Sequence, residues 1–209
     1  MMKEKFNQMI AGIVKPLLKE EGFSKNGMNF YRKKEDLIFL FNFQNSQGNS
    51  AQETKFYINC GIHSTNIDRV IGKTTGLDPK ESECYFRKRI SSIVESTNDG
   101  YVITQETDLN TLGLKLDEDL KAAIAMFNNI TSTNDLIDLM IEKNGLNNYR
   151  ELFKYLLLTE RKTQLKQFVK QLHRTFGAEK RWAIFENNLT EVLKDNNSKE
   201  TIAAILNDD

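Results

Sequence analysis

Residues 36–44 read DLIFLFNFQ, and residues 55–63 read KFYINCGIH. Leu37, Phe39, Phe41 and Phe43 take every second place in the first stretch, and Phe56, Ile58, Cys60 and Ile62 do so in the second. Side chains alternate sides along a strand, so each stretch predicts a strand with one strongly apolar face. The intervening positions carry Asn42 and Gln44 in the first strand and Tyr57, Asn59 and His63 in the second. Ile38 and Leu40 share that second side, so part of it is expected to be covered.

More elements follow outward from this pair. Residues 28–33 (MNFYRK) predict a further strand, and Lys33 to Asp36 suit the tight turn of a hairpin. Residues 45–54 (NSQGNSAQET) form a polar loop. Residues 84–93 (CYFRKRISSI) and 100–106 (GYVITQE) predict two later strands. Between them and the strand at 55–63, Gly72, Gly76 and Asp78-Pro79 mark a long loop around a short helical turn. Ahead of the sheet, Phe6, Met9, Ile10, Ile13, Leu17 and Leu18 recur at helical spacing, with Pro16 expected to kink or end the helix and Glu21-Gly22 to close it.

The pattern changes near residue 110. Leu116, Leu120, Ala123, Ile124 and Phe127 begin a run of amphipathic helices. Ser132 to Asp135 resemble a capping box, Asn144-Gly145 and Gly177 mark helix ends, and Ser198 is placed to cap a short last helix. The fold class is therefore α+β. An N-terminal helix packs on a mostly antiparallel sheet of four or five strands, and an all-helical C-terminal half follows. The expected division is a sheet domain over 1–110 and a helical region over 111–209, packed on the first as one compact unit.

Composition narrows the function. The 209 residues hold 29 basic and 29 acidic side chains, so the chain is neutral and a large nucleic-acid footprint is not expected. Two cysteines are too few for a secreted disulfide scaffold. No apolar run reaches the length of a signal core or membrane span, so a cytoplasmic location without membrane attachment is expected.

The run Gly22-Phe23-Ser24-Lys25-Asn26-Gly27-Met28-Asn29-Phe30-Tyr31-Arg32 resembles the opening of a bacterial family known as domain of unknown function 4304. Phe43-Gln44, Phe56-Tyr57-Ile58-Asn59 with Gly61-Ile62, and Glu83 to Ile90 follow in the same order and spacing. The resemblance implies an α+β domain over the first half of the chain and supplies no catalytic residues to carry over. It also implies kinship with cytosolic partners in bacterial conflict systems, including immunity proteins.

Tests for chemistry come out empty. Gly72-Lys73-Thr74 matches the end of a phosphate loop, but Ile67 stands where its first glycine belongs. Cys60 and His63 differ by an odd number of strand positions, so they face opposite ways and no metal site is expected. His173 sits among lysines on a helix and is expected in solvent. No cofactor and no catalytic set is expected. The remaining candidate is the second sheet face: Asn42, Gln44, Tyr57, Asn59 and His63, joined by Tyr85, Arg87 and Arg89 if Phe86 faces the core. Tyrosine, arginine and amides suit a protein interface. The leading expectation is an immunity-like binding protein that occludes a partner protein. The alternative is a small-ligand protein or enzyme gathering Arg87, Arg89, Gln44 and His63 in a pocket. The competing structural account is that the helical half simply covers this face. Oligomeric state is left open.

Overall fold

The computed structural model describes residues 2–96, 98–143 and 147–207. The chain forms two compact units, Met1–Thr65 with Thr75–Ser132, and Asn66–Thr74 with Thr133–Asp209.

The first unit opens on α1 (Met2–Met9), continues through a π-helical turn (Ile10–Val14), and ends in α2 (Lys15–Glu20). Pro16 lies in the first turn of α2, directly after the π turn. Proline offers no N–H and clashes with the carbonyl four residues back, so a widened turn ahead of it relieves both problems. The buried stripe explains the rest. Met2, Phe6, Ile10, Val14 and Leu18 recur every fourth residue. In a regular α-helix that stripe would rotate by about 40° per step. The wider π turn takes up part of that drift and keeps the stripe on the sheet. The stripe runs through Val14 and Leu18 rather than Ile13 and Leu17, which are only half-buried. Gly22, at φ +81°, ends the helix with Gly22 N–H donating to Lys19 O and Phe23 N–H to Leu18 O.

The sheet has six strands: β1 (Ser24–Asn26), β2 (Asn29–Lys34), β3 (Leu37–Asn45), β4 (Glu53–Ser64), β5 (Phe86–Arg89) and β6 (Tyr101–Thr104). The pairings are all antiparallel, in the order β1-β2-β3-β4-β5, with β6 also on β4. The predicted hairpin of β2 and β3 is present, turning at Glu35 with φ +53°. β1 was not anticipated. It forms a hairpin with β2 across Gly27-Met28, where Gly27 takes φ +60° at the first loop position.

The strand expected over 84–93 is a correction. It stops at Arg89, and Ile90–Ile93 is a short helix, α4. The reason is the single free edge of β4. β5 occupies it from Asn59 to Ile62, and β6 occupies it from Glu53 to Phe56. The chain must leave the edge between the two, and α4 carries it away.

The apolar face of the sheet is an aromatic layer. Phe6 meets Phe56 at 5.1 Å, Phe23 meets Phe41 at 5.2 Å, and Phe30 meets Phe43 at 5.5 Å. The helix α5 (Leu109–Asn128) belongs to this layer, because Phe127 packs on both Phe39 and Phe41 at 5.2 and 5.1 Å. The first unit therefore runs to Ser132 and takes in α5 together with the sheet. A Cβ added to Gly113 of α5 would lie 2.6 Å from Cδ1 of Ile13, so the helix crosses the π turn at close range.

Two tyrosines are held in this unit by buried hydroxyls. Tyr101 Oη donates to Asp119 at 2.7 Å, and Tyr31 Oη donates to the carbonyl of Pro79 at 3.3 Å. Burial pushes both phenols above their ordinary range, aided by Asp119 at Tyr101 and by Asp78 at Tyr31. A raised folded-state value means the unfolded chain loses these protons first. Stability is then fully present below about pH 10 and falls as pH climbs above it. Absorbance titration at the phenolate band should show at least two of the six tyrosines ionising only with unfolding. Simple titration of all six near the free value would refute this.

The second unit holds residues from Asn66 of α3 (Thr65–Ile71) and five further helices: α6 (Thr133–Glu142), α7 (Tyr149–Leu158), α8 (Lys162–Phe176), α9 (Trp182–Asp195) and α10 (Ile202–Asn207). These helices are amphipathic as expected, and their apolar stripes are buried, among them Leu136, Ile137, Leu152, Phe153, Phe168, Val169 and Leu189. The cap of α10 is Thr201, whose hydroxyl accepts from Ala204 N–H at 3.1 Å, while Ser198 serves Glu200. The helix end expected at Asn144-Gly145 falls outside the described residues. Gly72-Lys73-Thr74 is a helix stop. Gly72 takes φ +74° and Lys73 N–H donates to Asp68 O at 2.8 Å, which ends α3.

Candidate functional site

Strand register decides which side chains share the second sheet face. Asn29 stands opposite Asn42, Asn42 opposite Asn59, and Asn59 opposite Arg89. One straight row therefore crosses four strands. Its amides are joined: Asn42 Nδ2 donates to Asn29 Oδ1 at 2.6 Å, and Asn59 Nδ2 donates to Asn42 Oδ1 at 2.9 Å and to Gln44 Oε1 at 3.0 Å. The next row pairs Gln44 with Tyr57, and beyond it Lys55 pairs with Val102 of β6.

Tyr57 is the centre of this area. The Arg89 guanidinium lies over its ring at 3.9 Å and the Lys55 ammonium at 5.3 Å. A cation over an aromatic face is attracted by the ring quadrupole. A hydrogen bond with Ser46, followed by the positive charge of Lys55 and a bond with Arg89, holds the Tyr57 phenol below its ordinary range. Arg89 is itself anchored by Asp99 at 2.5 Å, which raises the guanidinium further. Gln44 and Val102 are exposed, Asn29, Asn42, Lys55, Tyr57 and Arg89 are half-buried, and Asn59 is buried among them, so this half of the face is open around Asn59.

The other half is covered. The segment 78–85 folds over it, and Cys84 packs with Tyr31, Ile38 and Leu40. A 3-10 turn (Glu81–Glu83) shapes the segment, closed by Lys80 N–H donating to Glu83 Oε2 at 2.6 Å. Asp78 ties it to Lys33 at 3.1 Å and to Asn26 at 3.0 Å. Gly61 is the seat of this cover, since a Cβ there would lie 2.6 Å from Cys84 Sγ. His63 is wholly buried beneath the cover, with Nδ1 3.1 Å from Glu83 O and its ring stacked on Tyr85 at 5.3 Å. Arg87 pairs with Glu81 at 3.5 Å.

The eight expected residues thus separate by register. Asn42, Gln44, Tyr57, Asn59 and Arg89 come together on the open half. His63, Tyr85 and Arg87 lie in the covered half. Arg87, Arg89, Gln44 and His63 are not drawn into one pocket, because buried His63 and exposed Gln44 occupy different halves. The expected cover by the helical half has a local counterpart that was not foreseen, the segment 78–85. Asn29, Lys55 and Val102 were missed. Asn29 could have been found by carrying the alternation of β3 into β2 across the hairpin.

The open half offers hydrogen-bond donors, acceptors and a clamped aromatic ring, which suits recognition. Cys60 points into the aromatic core, and burial raises its thiol well above the ordinary range. His173 is exposed and meets Trp182 edge-on at 4.7 Å. Among the described residues, no group of three or more His, Cys, Asp or Glu is placed to hold a metal ion. Nor is any helix long and apolar enough to cross a membrane.

No curated protein and no solved structure gives a match to this chain. The family described as Domain of unknown function (DUF4304) matches residues 14–129, more than half of the 209. The matched span takes in all six strands, the covering segment and α5, and so both halves of the second sheet face. This chain belongs to the DUF4304 family.

Proposed function

We propose that this chain is a cytoplasmic binding protein that lays the open half of its sheet against a partner protein and occludes that partner's surface, as immunity proteins do. The observation that carries the reading is the amide row Asn29–Asn42–Asn59 beside the clamped Tyr57. These side chains are ordered by one another before any partner arrives. Binding then immobilises few free rotamers, which is where much interface affinity is otherwise lost. Tyrosine and arginine at the centre of a patch are the residue types that carry binding energy. A face of strands also suits a protein better than a small molecule, which needs a concave site. Two buried cysteines that are not joined in a disulfide fit a reducing compartment.

The test is affinity capture from the source cell with the wild type and with a Tyr57→Ala/Arg89→Ala variant. One protein should be retained in stoichiometric amount. The variant should weaken it by about a hundredfold or more, as loss of a central hot spot does. Equal retention by the variant would move the interface elsewhere, and no retained protein would remove the reading.

A further inference from the structure

A hollow of about 520 Å³ lies between α2 and β1, lined by Lys15, Lys19, Phe23, Ser24, Lys25 and Phe30. It has three ammonium groups and no carboxylate. None of the three lysines is held in an ion pair among the described residues, and Lys25 only leans over the Phe30 ring at 5.9 Å. In a chain with equal numbers of acids and bases, three exposed cations around one hollow with no carboxylate in its lining make a local positive field that attracts an anionic segment.

A second observation specifies its form. β1 is the edge strand of the sheet, pairing with β2 alone, and its three residues are exposed. Phe43 N–H donates to Met28 O, so the even-numbered residues of β2 turn their backbone groups toward β3. The odd-numbered Asn29 and Tyr31 therefore bond Asn26 and Ser24, while Phe30 and Lys25 form the pair without hydrogen bonds. Lys25 thus turns its own N–H and C=O outward to the free edge. Its side chain shares the Phe30 face, which is the α2 side where the hollow lies.

We infer that this edge accepts an extended acidic segment of another protein, added as a strand beside β1 with its carboxylates in the lysine hollow. Strand addition supplies main-chain bonds, and alternate side chains enter the pocket beneath. A phosphate-bearing ligand is the poorer fit. The hollow lies along α2, which continues directly from the π turn, so no open helix N-terminus faces it to cradle phosphate. A lysine on an edge strand also guards against self-pairing. That accounts for Lys25, which repels a second copy of the same edge. It does not account for Lys15 and Lys19 on a helix. The site is independent of the open sheet face.

A short fluorescein-labelled peptide alternating glutamate and valine is the probe, with the full chain as receptor. It should bind saturably, and NMR exchange of the Lys25 N–H should slow in the complex. Lys15→Glu/Lys19→Glu, both at exposed positions, should weaken it roughly tenfold, the scale of losing two exposed charge contacts. The same peptide with alternate backbone amides methylated should lose its binding. Tyr57→Ala/Arg89→Ala should bind the peptide as the wild type does, so failure of the sheet-face reading leaves this result intact. The inference is overturned by absence of saturable binding, by indifference to the charge reversal, or by equal binding of the methylated peptide with displacement by inorganic pyrophosphate, which marks a plain anion hollow.

Discussion

Phe127→Ala should destabilise the sheet unit by about 3–5 kcal/mol, the range for removing a buried aromatic ring from a packed core. Phe127 has no exposed surface, and its ring touches both Phe39 and Phe41, one on either side of Leu40 in the central strand β3. Truncation would leave a cavity between a helix and a strand that is hydrogen-bonded on both edges, so neither side can collapse to fill it. The best readout is amide exchange in β3 and β4 of the full chain. Protection there should fall by roughly two to three powers of ten, because each 1.4 kcal/mol is tenfold. Trp182 lies in the second unit and is a poor reporter of this event. Unchanged exchange in β3 and β4 would show that α5 is not part of the sheet's core.

That helix also shows where the sequence is legible and where it is not. Its buried stripe of Leu116, Leu120, Ala123, Ile124 and Phe127 was readable from spacing alone. Its membership was not, because periodicity tells which side is apolar and says nothing of what it faces. The same limit governs the strands. Alternation placed β3 and β4 within two residues, since a half-buried strand must alternate. It overran at β5, because Ile90 continues the apolar pattern while the edge of β4 has no more room. β1 escaped notice because its three residues are all exposed and leave no apolar signal. Only Gly27 after Asn26 marked the hairpin.

The candidate site follows the same division. Which residues share the second face is a matter of parity, and parity is in the sequence. Asn42, Gln44, Tyr57, Asn59 and Arg89 were reached that way. Which part of the face stays open depends on the segment 78–85, which returns to the sheet after α3. The local signals of that segment, Asp78-Pro79 and a glutamate pair, indicate a loop and no destination. Gly61 held the missing information. A glycine inside a strand often marks a close approach of other atoms, here the Cys84 side chain.

Gly61→Val should therefore strip the cover from the sheet. A Cβ at this position would sit 2.6 Å from Cys84 Sγ and 3.1 Å from its Cβ. Neither neighbour can yield easily. Cys84 is fully buried against Tyr31, Ile38 and Leu40, and Tyr85 N–H donates to Ile62 O at 2.9 Å. Overpacking of this kind costs roughly 1–3 kcal/mol, and here the cheapest escape is for the segment 78–85 to lift. The Cys84 thiol should then react with an aromatic disulfide reagent in the folded protein, while Cys60, facing the aromatic core, stays protected. Tyr31 should lose its bond to Pro79 and ionise closer to the free value. A cycle of Gly61→Ala, Cys84→Ala and the double variant isolates the contact. Removing Cys84 Sγ takes away the nearest clash, so the double variant should be more stable than the sum of the two single losses. Strict additivity, or an unreactive Cys84 in Gly61→Val, would mean that the cover is held by something other than its seat on Gly61.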